Sequence, residues 1–65
     1  MSKLSQFVVR HNVQYGYDVA WVVEQIARKL RCSTDEIFDA ALTDQRAAEY
    51  ILSVVNNLQA KRMGA

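Results

Sequence analysis

Few side chains in this 65-residue chain could do chemistry, and their spacing argues against it. His11 is the only histidine and Cys32 the only cysteine. No cysteine lies near His11 in the sequence, so a zinc site would need carboxylates and other remote ligands. Asp35, Glu36 and Asp39 form the one acidic cluster. There is no glycine-rich phosphate loop and no serine elbow. A chain this short also has trouble enclosing a pocket of several hundred Å3. The expectation is no catalysis, no metal and no cofactor. Cys32 could be a reactive thiol, since it precedes a helix and follows Arg31. No partner for such chemistry is visible, and a packing role explains it as well.

The elements that carry these residues are helical. Zero prolines and two glycines leave few breakers, and 51% of residues are hydrophobic. That is too apolar for a disordered tail, and the length suits one domain over 1–65, near the size where a single core is marginal. Apolar runs are short, so no membrane span is expected. The start, Met-Ser-Lys-Leu-Ser, lacks a signal peptide's apolar block. A lone cysteine forms no internal disulfide. The expected setting is the cytoplasm, with packing alone holding the fold.

Residues 4–15 fit two patterns. Leu4, Phe7, Val8 and His11 share a helix face, with Ser2 as N-cap and Asn12 as C-cap. Phe7, Val9, His11, Val13 and Tyr15 also alternate as in a strand. A single strand has nothing to pair with except a second copy, so helix is preferred, and Tyr15-Gly16-Tyr17 reads as a turn. From Asp18, a candidate N-cap, Val19, Val22, Val23, Ile26, Ala27 and Leu30 mark one face of a strongly amphipathic helix. Ser33 to Glu36 is a capping box, and Cys32 with Ile37 has the spacing of a hydrophobic staple. The third helix covers about Thr34 to Leu42. A continuous helix beyond it would put Asp44 in an apolar stripe, where an unpaired carboxylate costs several kcal/mol. Thr43 or Asp44 therefore caps a new helix reaching Met63. The fold expected is all-α, three or four helices with a long C-terminal one.

Within this scheme, Gln25 to Ala41 resembles a helix-turn-helix. The motif's anchors fall on Ala27, Leu30, Cys32, Ile37 and Ala41, over about seventeen residues. The resemblance implies a paired-helix fold and, as a second functional reading, a DNA-binding regulator. Arg31 stands where the motif usually has glycine. The would-be reading helix offers Thr34, Asp35 and Asp39 with no lysine or arginine, which opposes phosphate. Arg28, Lys29, Arg31, Lys61 and Arg62 could instead line another DNA-facing surface. Net charge is only +1, distributed unevenly: five cations against two anions in residues 1–31, then one against five in residues 32–60. Helix-dipole pairing alone accounts for such a layout.

Two features point to protein binding. Trp21 falls on the polar side of the second helix, beside Glu24, Gln25 and Arg28. It reads either as a core residue under the N-terminal segment or as an interface anchor. On the last helix, Ala47, Ala48, Ile51, Leu52, Val54, Val55 and Leu58 cover roughly 160–200° of the circumference, against ~100° for an ordinary surface helix. So small a chain offers little to cover that stripe. A homodimer burying Ile51, Leu52, Val54, Val55 and Leu58 is expected, with Trp21 as a further contact. The function expected is a small regulatory or adaptor protein, non-enzymatic, acting on an unidentified protein partner.

Overall fold

The computed structural model describes residues 2–64, with side chains through residue 62. It contains four helices: α1 (Lys3–Arg10), α2 (Gly16–Leu30), α3 (Thr34–Thr43) and α4 (Gln45–Gly64). No strand occurs among the described residues, which settles the first segment as helix. α2 and α3 pack on each other at the centre. α1 packs on both, and α4 packs on both.

Local side-chain caps set three of the four starts. Ser5 N donates to Ser2 Oγ at 3.1 Å and Glu36 N to Ser33 Oγ at 3.2 Å. Arg46 N donates to Asp44 Oδ1 at 2.9 Å, and Asp44 itself is extended, so the chain breaks between α3 and α4 there. Each cap satisfies an N–H that the first helical turn leaves unpaired. The fourth start departs from expectation. α2 begins at Gly16, two residues ahead of Asp18, and its N-cap Tyr15 makes no side-chain cap bond. Gly16 is therefore the first helical residue rather than the middle of a turn. A Cβ there would lie 3.1 Å from Val8 Cγ2, so glycine lets α2 start against α1.

α1 and α2 end alike. After α1, Val13 N reaches back to Val8 O at 3.0 Å and Asn12 N to Val9 O at 3.3 Å; after α2, Cys32 N reaches Ala27 O at 3.0 Å and Arg31 N reaches Arg28 O at 3.3 Å. These are Schellman motifs, which need a left-handed residue just past the helix. Asn12 (φ 53°) and Arg31 (φ 57°) take that place. The C-terminal end of α3 is closed from outside, by Arg10 Nη1 donating to Leu42 O at 2.8 Å.

The core is Phe7, Val19, Val22, Val23, Phe38, Ala41, Ala48, Ile51 and Val55, with Phe7 and Phe38 edge to face at 6.1 Å between centroids. Two expectations are corrected here. Ile51 and Val55 are buried in this core, and Leu52, Val54 and Leu58 are partly buried against it. The α4 stripe is wide because α4 faces two neighbours, α2 and α3, at once. Its width is met within one chain, so it is no argument for a second copy at those five residues. Leu30, placed by periodicity on the buried face of α2, is 66% exposed. It is the last helical residue, directly before the left-handed turn, where the core has run out.

Candidate interaction face on helix α2

One side of α2 is given to the core: Val19, Val22, Val23 and Ala27 are buried. The other side carries Tyr17, Trp21, Glu24 and Arg28, all exposed. Their spacing of four, three and four residues keeps them in one narrow stripe along the helix. Tyr17 is 63% exposed and Trp21 54%. The N-terminal segment leaves Trp21 more than half exposed; α1 packs on α2 and α3 and gives its Phe7 to the core. Lower on the stripe, Arg28 Nη2 donates to Glu24 Oε1 at 2.7 Å. The stripe thus has an aromatic half toward the start of α2 and a charged half toward its end.

At the start of α2 lies an arrangement the sequence did not disclose. Asp18, expected as the N-cap of α2, lies inside its first turn, is 1% exposed and is the only buried charged residue among those described. Its carboxylate accepts from Arg62 Nη1 at 2.8 Å and from Gln59 Nε2 at 3.2 Å. The guanidinium of Arg62 also sits 6.0 Å from the centroid of the Tyr17 ring, a cation–π distance. Tyr15 and Tyr17 lie with centroids 5.8 Å apart. An open cleft of about 400 Å3 is lined by Gln14, Tyr15, Tyr17, Asp18, Gln59 and Arg62. The first turn of α2 favours a carboxylate electrostatically, and the end of α4 supplies the cation. The sequence held one hint: Gln59 and Arg62 are three apart, so one face of α4 presents both donors.

The proposed DNA-facing cations are not gathered into one surface. Arg28, Lys29 and Arg31 are exposed at the end of α2. Arg62 is committed to Asp18 near its start, about 15 Å of helix away. Arg28 is engaged with Glu24. Lys61 is exposed beside Arg62. In the helix-turn-helix-like segment, Ala27 and Ala41 are buried and Ile37 is partly buried against the core, as the motif requires. Cys32 is half-buried, while the Leu30 anchor faces solvent. The acidic residues of α3 are exposed, and Asp39 Oδ1 pairs with Lys3 Nζ at 2.6 Å.

His11 packs tilted against Phe7 at 4.6 Å between centroids, and its Nε2 is buried with no hydrogen-bond partner. No group of three or more metal-capable side chains converges among the described residues. Among them, too, no helix is long and apolar enough to cross a membrane. No family model matches the chain, and no curated protein and no solved structure is detectably similar to it.

Proposed function

We propose that this protein is non-enzymatic and acts by binding protein, as a small regulatory or adaptor module, through the exposed face of α2. The observation that carries the reading is the pairing of Trp21 with Tyr17, one helical turn apart and both more than half exposed. Large aromatic side chains are usually mostly buried in a folded chain, and tryptophan and tyrosine dominate binding hot spots. Here they stand on a helix whose opposite face already supplies four buried residues; Tyr17 touches Arg62 at one edge and still leaves most of its surface open, and Trp21 is more than half exposed. Trp21→Ala should leave helicity and thermal midpoint nearly unchanged and remove partner capture from a lysate of the native host. Capture that survives the substitution, or a variant that unfolds, would refute the reading.

DNA binding is the second reading, favoured by the buried small anchors Ala27 and Ala41 on either side of a tight turn. Titration against mixed-sequence duplex at low and moderate salt separates the two. Tight binding that weakens steeply with salt, and loses about one unit of slope for each of Arg28→Ala and Lys29→Ala, would replace the first reading with the second.

A further inference from the structure

The α2 face has a property that narrows its occupant. A two-fold interface uses the same patch on both partners, so the patch must complement itself. Tyr17, Trp21, Glu24 and Arg28 follow one another at the four-three-four spacing of a helix–helix seam. Two such helices laid parallel would set Arg28 against Arg28 and Glu24 against Glu24. Laid antiparallel, with the axis passing between the levels of Val22 and Val23, they set Tyr17 against Arg28 and Trp21 against Glu24. Each contact is then chemically matched. A guanidinium over a tyrosine ring is a cation–π pair. An indole N–H has a carboxylate to donate to, and that bond is charge-assisted. The bond between Arg28 and Glu24 within the chain, at 2.7 Å, already holds both side chains on the stripe.

We infer that the face is occupied by a second copy of this chain, its α2 antiparallel to the first, with Tyr17 meeting Arg28 and Trp21 meeting Glu24 across the two-fold axis. The inference rests on the proposed reading of α2 as a binding face and names its partner. It moves the interface from the α4 stripe, which the core uses, to side chains that are wet. Phosphate is disfavoured on the same stripe by Glu24, and a wholly apolar groove would leave the Arg28–Glu24 pair unmatched. Two tyrosines and two tryptophans supply most of the contact, each offering only its exposed part, 63% and 54%, of the about 150–250 Å2 that such a side chain buries in full. A seam of this size lies below the ~1,200 Å2 of a standard stable interface, so the assembly is weak and reversible.

The test is sedimentation equilibrium of the purified full chain from about 5 μM to about 1 mM, the range of a weak association. Trp21 is the only tryptophan, so its emission reports the seam directly. A monomer–dimer equilibrium is expected, with Trp21 emission shifting to shorter wavelength over the same concentrations. Arg28→Glu should raise the dissociation constant by about tenfold without loss of helicity. Tyr50→Ala, which removes another exposed aromatic on a different helix, should leave it unchanged. A monomer throughout, a dimer that leaves Trp21 emission unmoved, indifference to Arg28→Glu, or dissociation by Tyr50→Ala would each overturn the proposal. If the chain is monomeric but Trp21→Ala still abolishes capture of a different protein, the binding face stands and only the self-pairing falls. If neither association responds to Trp21→Ala, both fall.

Discussion

Among the described residues, two ion pairs join distant parts of this chain, and they stand in opposite surroundings. Asp18 and Arg62, 44 residues apart, meet at 2.8 Å with the carboxylate 1% exposed. Lys3 and Asp39 meet at 2.6 Å, with side chains 38% and 61% exposed. The shorter contact is the weaker tether. Water and salt screen the Lys3 pair, and exposed pairs contribute little. Asp18 has given up its hydration and depends on Arg62 and Gln59 to replace it, so removing either donor leaves a carboxylate poorly satisfied. Burial, more than distance, decides what an ion pair does for a fold.

The largest expected effect follows from that contrast. Arg62→Ala should cost about 2 kcal/mol, less than for a wholly buried pair because water can enter where the half-exposed guanidinium stood. Asp18→Asn should cost about half as much, since the amide keeps one acceptor and loses the charge. In a double-mutant cycle by urea denaturation, Arg62→Ala should be milder on the Asp18→Asn background by about 1 kcal/mol. Strict additivity would break the comparison, making Arg62 no more than a surface residue.

The smallest effect belongs to the exposed pair. Lys3→Ala should leave the unfolding midpoint within error and insensitive to added salt. The hydrogen bond from Lys3 to the Asp39 carboxylate holds the lysine pKa above its ordinary 10.5. Because the folded value is the raised one, whatever the pair contributes is whole below that ordinary value and is lost as pH rises through the raised one. A difference between wild type and Lys3→Ala that is large near neutral pH would mean that the surface pair matters as much as the buried one.

What the sequence disclosed is what neighbouring residues decide. Ser2, Ser33 and Asp44 cap the N–H two or three positions ahead, and such signals read directly from the chain. The valines of α2 fell on the buried face for the same reason, since periodicity is local. Leu30 obeyed the period yet stayed wet, because periodicity says which way a side chain points and nothing about where the neighbouring helix ends. Asp18 carries no such local signal, because its partners Gln59 and Arg62 come from the far end of the chain. The width of the α4 stripe is legible locally, but its cover depends on α4 packing against α2 and α3 together, which no window of sequence contains. Trp21 stood out as apolar on a polar face; whether α1 would cover it was a question of packing.

The two left-handed helix ends carry a consequence for how this chain can change over time. Asparagine tolerates that conformation at Asn12, while Arg31 has a β-carbon in it and no local polar group to compensate. Arg31→Gly should therefore raise stability by roughly 0.5–1 kcal/mol, readable as a higher thermal midpoint. For so small a core that is a sizeable share of the total. The turn between α2 and α3 thus holds a reserve. A lineage that altered the α2 face at some expense to folding could recover the loss at one backbone position remote from the change.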